Sequence, residues 1–302
     1  MIRSLLKGLI TAWFVASAAF FCLRLSPGDP VERILGPQAR AEQIEIYRKS
    51  LGLDLPVLTQ YKNFLYNLVH LDWGKSLFKD QTVLELIQNA MVPTATLAII
   101  AVSLAFVLAS LLGVLAAKNR GNLLDHVLRF FTLSALSFPI FSLAPILIIL
   151  FSIQLGWLPV SELISPLHYI LPCMSLVIPL TSVLSRVIRN QFLESNSEPW
   201  INVLRAKGLS ENSITLRIYK VCLPTTLNVV SMQLSVVLAG AMITETIFDI
   251  PGLGKLLLGA IENRDYPLVQ GLIIYTSLIY LILYVITDII NAKIDPRLVS
   301  VK

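Results

Sequence analysis

Apolar runs long enough to cross a bilayer alternate with polar but patterned segments along this 302-residue chain. A hydrocarbon core about 30 Å thick takes about 20 apolar residues in a helix that rises about 1.5 Å per residue. The qualifying runs are Leu5 to Leu23, Thr94 to Ala117, Phe130 to Leu155, Tyr169 to Ile188, Leu223 to Ile243 and Leu268 to Asn291. The pattern predicts an all-α polytopic membrane protein with six transmembrane helices. Arg3 and Lys7 ahead of "ASAA" also have the make-up of a cleavable signal peptide. That first run is long and five more come after it, so an uncleaved signal-anchor helix is the expectation.

The polar segments differ in kind. Between the first two runs, "RAEQIEIYRKSLGL" has the period of an amphipathic helix ended by Gly52, and "TQYKNFLYNLVH" that of another. The expected division is an N-terminal transmembrane helix at 1–25, a helical cap at 26–92 and a membrane core at 93–302, with a patterned loop at about 190–221. In that loop, Ser197 is placed to cap a helix with Glu198 and Pro199 in its first turn. At 100° per residue Trp200, Val203, Leu204 and Lys207 share one side, and Asn202, Arg205 and Ala206 the other. Gly208 sits where a helix ends on a left-handed residue. After Leu209, Ser210 can cap a second helix that begins near Glu211, with Ile214, Ile218 and Val221 at i, i+4 and i+7. Helix connections in bundles usually take about 2–8 residues, so a patterned loop of this length asks for a purpose.

Composition supports the membrane reading: 55% of residues are hydrophobic and only 14% are charged, against about a quarter charged in soluble domains. The net charge of +5 is the positive-inside bias of a membrane protein rather than a nucleic-acid footprint. Basic residues crowd the segments before the first run, between the second and third, between the fourth and fifth, and after the sixth. Both termini are therefore expected on the cytoplasmic side, and the 26–92 cap outside.

Cys22, Cys173 and Cys222 are scattered, which points to small apolar fillers and no metal site or disulfide. His70, His126 and His168 are dispersed. "PGLGKLL" lacks the GxxxxGK[ST] spacing of a phosphate loop and is expected to be a structural turn. No enzyme chemistry and no resident cofactor are expected. Glu245 and Asp288 lie toward span ends, where interfacial solvation or pairing with a neighbouring helix is expected rather than ion coupling. Pro139, Pro145, Pro172 and Pro179 are expected to interrupt backbone bonding within spans, and Gly113, Gly240 and Gly271 to permit close helix approach.

The motif "RAKGLSE", between a short helix and a second amphipathic one, resembles the cytoplasmic signature of ABC-importer permeases. "LRLSPGDP", "LGLDLP", "LDWGKSL", "ETIFDIPGLGKLL", "RDYPLVQG" and "DPR" are similar to the B-type subunit of the dipeptide/oligopeptide/nickel branch, in order, over nearly the whole chain. One departure is that Asn202, Val203 and Leu204 stand where the broader family writes Glu-Ala-Ala, so Leu204 replaces a small residue. The resemblance implies a type I permease fold in the bacterial inner membrane. It also implies a homologous C-type permease, two cytoplasmic ATPases that bind the ATP and magnesium, an extracytoplasmic solute-binding protein, and peptide cargo. ATPase coupling falls to Glu198, Trp200, Asn202, Arg205, Ala206, Lys207, Gly208, Leu209, Ser210 and Glu211. Nickel or another metal chelate is the alternative cargo; an ion-driven secondary transporter and a non-transporting scaffold are the alternative classes.

Overall fold

The computed structural model describes residues 2–25, 28–36, 38–160 and 165–294; side chains at 2–7 and 9 lie outside that description. The side chains of Arg3 and Lys7, part of "LRLSPGDP" and the "DPR" tract accordingly lie outside the described residues. Two compact units are present, one comprising 1–94 with 251–281 and the other 95–250 with 282–302.

In the first unit, α1 (Ile2–Leu25) is succeeded by three short helices: α2 (Pro30–Leu35), α3 (Ala41–Ser50) and α4 (Val57–Val69). Asp29 caps α2 by accepting from the Val31 N–H at 2.9 Å, and the same carboxylate pairs with Arg48 of α3. Aromatic rings fasten α4 to α1: Phe20 meets Tyr61 and Phe64 with centroids 5.2 and 5.3 Å apart. The Arg24 guanidinium lies 3.4 Å over the Phe20 ring and donates to Gln60 at 2.9 Å, a cation–π geometry that also hides the ring from water. Both amphipathic helices expected in the 26–92 segment are thus present. Gly52, at φ +66°, ends the first as anticipated.

The helix α5 (Val83–Lys118) has 36 residues and is about 54 Å long, so the "TVLELIQNA" segment and the second apolar run form one rod. Thr82 and Glu85 start it with reciprocal side-chain-to-backbone bonds of 3.0 and 3.3 Å. The core of this unit joins Val83, Leu86, Ile87 and Ala90 to α12 (Leu253–Asn263) and the beginning of α13 (Tyr266–Ile294), with Trp73 packed against it. Here two of the quoted motifs meet: Asp265 of "RDYPLVQG" accepts from the Ser76 hydroxyl and from the Leu77 N–H of "LDWGKSL", the latter at 3.2 Å. Gly271 is required by packing, since a Cβ there would lie 2.3 Å from Val83 Cγ1. "PGLGKLL" is not a turn: Gly254 and Lys255 lie in the first turn of α12, which Thr94 anchors by accepting from the Leu253 N–H at 2.8 Å.

The second unit departs most from one helix per apolar run. In place of one helix from Phe130 to Leu155 there are α6 (Leu123–Ser137) and α7 (Ile140–Leu147), the latter running on as a π-helix to Gln154. The pair turns through 102°. Phe138 precedes a proline and is extended (ψ 114°), which stops α6, and Pro139 opens α7. A 3₁₀ turn, Pro166–Tyr169, leads into α8 (Ile170–Asn196). Pro172 sits in the first turn of α8, where its missing N–H costs nothing; Pro145 and Pro179 lie inside helices that continue past them, as do Pro93 and Pro224, each removing one backbone donor. Next come α9 (Pro199–Ala206), α10 (Glu211–Leu238) and α11 (Met242–Ile247).

The fifth apolar run does not reach Ile243 unbroken: α10 ends at Leu238, and Gly240, at φ +124°, makes the break. Gly113 does permit one, for a Cβ there would lie 2.8 Å from the Ser185 carbonyl. Glu245 is fully buried within α11 instead of solvated at an interface. Cys173 and Cys222 are buried fillers, whereas Cys22 is exposed. Among the described residues four helices are long and apolar enough to cross a bilayer. The bent pair passes the same test jointly, and the apolar stretch Ile10–Leu25 of α1 is shorter.

Candidate functional site

The elbow between α8 and α10 is built from three local rules and one buried cluster. Glu198, not Ser197, occupies the N-cap of α9, because its backbone is extended (φ −69°, ψ 144°) and Pro199 supplies the preset first turn. Ser197 instead ends α8, donating its hydroxyl to the Glu194 carbonyl at 2.7 Å. At the other end Gly208 (φ +76°) donates to the Arg205 carbonyl at 2.9 Å, and Leu209 to the Leu204 carbonyl at 3.3 Å. These are the paired bonds of a Schellman stop. No atom lies within 4 Å of a Cβ built on Gly208, so its backbone angle alone demands glycine. Ser210 then caps α10, accepting from the Ser213 N–H at 3.4 Å.

Which face is anchored differs from the helical-wheel expectation. Ile201 has no exposed surface, while Val203 is 53% exposed and Lys207 is exposed as well. The inward residues are Trp200, Ile201 and Leu204, one position round from the expected stripe. Ile201 joins Ala117 of α5, Phe192 of α8, and Ile214, Ile218 and Cys222 of α10 in one buried cluster, with Trp200, Leu204 and Leu209 packed around it. Val221 faces outward, so the buried row on α10 is 214, 218 and 222, spaced four apart. Leu204, the departure from a small residue, fills the rim of this cluster rather than obstructing it.

The residues nominated from the sequence divide accordingly. Trp200 and Leu209 hold the elbow from within; Glu198, Asn202, Arg205, Ala206, Lys207, Gly208, Ser210 and Glu211 are exposed together with Val203. Arg205 ties the turn, donating to Glu211 at 3.0 Å and to Asn196 at 3.4 Å, and so links the ends of α8, α9 and α10. An exposed pair of this kind adds at most about 1 kcal/mol, so it orients more than it stabilises.

Two features of the site are not among those nominated. One is Ile201, although an apolar residue three before Leu204 signals a shared face. The other is an ion pair: Arg189 of α8 grips Asp125 of α6 with two 2.8 Å bonds, and Asp125 also accepts from the Gly121 N–H at 3.2 Å. Both carboxylate oxygens are thereby satisfied, which lets a carboxylate sit buried. Nothing in the spacing of positions 125 and 189 announces it.

A second consequence lies in α10. The amphipathic helix after the glycine and the fifth apolar run as far as Leu238 form one 28-residue helix that passes through Pro224. Any displacement of the exposed elbow face therefore acts on a membrane-crossing rod through the packed cluster, not through a slack loop.

Residues 109–300 match the family of binding-protein-dependent transport system inner membrane components, and residues 1–98 match the N-terminal membrane component model of such systems. The chain belongs to this family and is an ABC-importer permease of the peptide/nickel-type branch. It is 35% identical over 296 residues to the glutathione transport system permease protein GsiC of Escherichia coli (strain K12), covering 97% of this chain and 96% of the relative. The protein of that name from Shigella boydii is 34% identical over the same length. Among solved structures, an inward-facing MetNI methionine ABC transporter shares the fold, with TM-score 0.56 and 17% identity over 70% of this chain and 97% of the other.

Proposed function

We propose that the chain is one of two homologous permease subunits of an ATP-driven importer of di- and oligopeptides, its partner being a C-type permease. The elbow from Glu198 to Glu211 seats on one of two cytoplasmic ATPases, which bind the ATP and magnesium. Both chain termini lie on that side. The segment at 26–92 and the one between Glu245 and Tyr266 face outward and receive a solute-binding protein. Nucleotide closes the ATPase pair, the seated elbow moves with it, and α10 carries that motion into the membrane. ATP shifts the equilibrium only by its differential affinity for the inward- and outward-open states.

The observation that carries this reading is the exposed polar face of α9 on a buried anchor continuous with α10. Peptide cargo is supported by the relative's substrate, since glutathione is itself a small modified tripeptide.

The test is reconstitution of the chain with its C-type partner, both ATPases and the binding protein in vesicles, with uptake of labelled dipeptide, tripeptide and glutathione measured against a nickel chelate. ATP-dependent peptide uptake is the expected result. Gly208→Pro, which demands φ near −65° where the chain has +76°, and Arg205→Glu should insert normally yet lose uptake and substrate-stimulated ATPase. Full uptake and stimulation in both variants would remove the elbow from the mechanism. Chelate uptake without peptide uptake would replace the cargo, and flux driven by an ion gradient without ATP would replace the class.

A further inference from the structure

Beside the elbow, α5, α6 and α8 enclose a shallow groove with an apolar floor and a basic rim. Gly113 and Ala116 of α5 and Leu128 of α6 form the floor; Arg129 and Thr132 of α6 and Arg186 of α8 stand on the rim. Gly113 brings α8 to van der Waals limit here, with Ile188 Cβ 3.0 Å from where a side chain would begin. Arg189 also borders the groove, but its charge is already taken by Asp125 in the two 2.8 Å bonds.

Arg129 and Arg186 are different. Both are exposed, and among the described residues neither forms an ion pair. With Asp125 and Arg189 cancelling, the groove keeps two positive charges at one end of apolar helices. The flank beside Arg129 is strongly apolar: Phe130 and Phe131 are 66% and 65% exposed, a surface suited to acyl chains. Two guanidiniums offer forked donors to phosphate oxygens, while the Thr132 hydroxyl is engaged with the Arg129 carbonyl at 3.1 Å.

We infer that this groove is a binding site for the headgroup of an anionic phospholipid, with the phosphate held between Arg129 and Arg186 and an acyl chain lying over Leu128 and the exposed Phe131, which is three residues on along the same face of α6. Basic pockets between membrane helices select lipids in this way. Gly113 of the floor is one turn from Ala117, and Arg189 at the border one turn from Phe192, both members of the elbow cluster. A bound lipid would therefore brace α6 and α8 next to the moving part. The inference stands on membrane location and groove geometry alone, and survives even if the elbow meets no ATPase.

The test is native mass spectrometry of the full-length chain assembled with its partner subunits. It compares retention of dioleoyl phosphatidylglycerol with that of dioleoyl phosphatidylcholine, whose acyl chains are the same. Each arginine near an anionic headgroup is worth about a factor of five in binding, so phosphatidylglycerol should be retained at least about tenfold better. R129Q/R186Q should erase the preference, each single variant should cost about fivefold, and R129K/R186K should keep most of it. K118Q/R120Q, which removes neighbouring charges outside the groove, should leave it intact. A preference that survives R129Q/R186Q, or that K118Q/R120Q erases equally, would overturn the site. So would displacement of the lipid by millimolar inorganic phosphate, which would make it a free-anion site. Retention by the isolated chain but not by the assembled transporter would overturn it too, by showing that a partner protein covers the rim.

Discussion

Two helices in this protein stop in the same way and are held in opposite ways. Helix α3 ends on Gly52 and α9 on Gly208, each with φ near +70° (+66° and +76°). In both, the glycine N–H bonds back to the carbonyl three residues earlier and the next N–H to the carbonyl five earlier. The local code is one and the same. Yet α3 buries no residue at all, and Ile46 on it is 64% exposed, while α9 sinks Ile201 completely into a cluster drawn from three other helices. Asp29 to Arg48 ties α3 to its neighbour, and Lys49 to Glu45 lies within the helix itself. Such exposed pairs are weak. A helical stop thus says where a chain turns, and burial says whether the turn can transmit force.

This contrast can be broken experimentally, beginning with the largest effect. Arg189→Ala leaves the buried Asp125 carboxylate without its counter-charge, and should cost about 3–5 kcal/mol; thermal unfolding of the detergent-purified chain reads the loss, and a near-unchanged midpoint would show the pair to be dispensable. Ile201→Ala opens a cavity under the elbow and should cost about 2–5 kcal/mol, with ATPase stimulation falling alongside. If Ile201→Ala unfolds earlier but couples normally, the anchor serves stability only.

Gly208→Ala and Gly52→Ala form a matched pair, because each forces a left-handed alanine at a strain of about 1–2 kcal/mol. Only the Gly208 variant should lower transport, by about tenfold in vesicle uptake, and equal losses in both would erase the distinction drawn between the two stops. Smallest of all, Ile46→Ser on the exposed face of α3 should change stability by no more than about 0.5 kcal/mol. Its effect should show instead as weaker capture of the binding protein in a pull-down, and unaltered capture would release α3 from that role.

How far the site was legible depends on the range of the forces involved. Gly208, Ser210 and Pro199 act on their own backbone, so their roles could be read from neighbours a few residues away. The inward face of α9 could not be read so well: Trp200, Val203 and Leu204 make as good an apolar stripe as Trp200, Ile201 and Leu204. What separates them is the position of Phe192 and Ile214, which the wheel does not contain. The same limit explains the third apolar run. Hydropathy sums Phe130 to Leu155 into one span, whereas the Phe138–Pro139 step bends it by 102°, a backbone restriction that an average over side chains does not see.

The apolarity of the membrane segments, the glycine stop at 208, the cap at 210 and the family signature around them were determined by the sequence on its own, because each rests on contacts within a turn or two of helix. The tertiary structure alone decided that Ile201 rather than Val203 is the anchor, that Asp125 finds Arg189, and that "LDWGKSL" and "RDYPLVQG" share the Asp265 carboxylate. Those partners lie from 9 to 189 positions apart. Their meeting depends on which helix faces fit together at close-packed density, a property of the assembled unit rather than of any one segment.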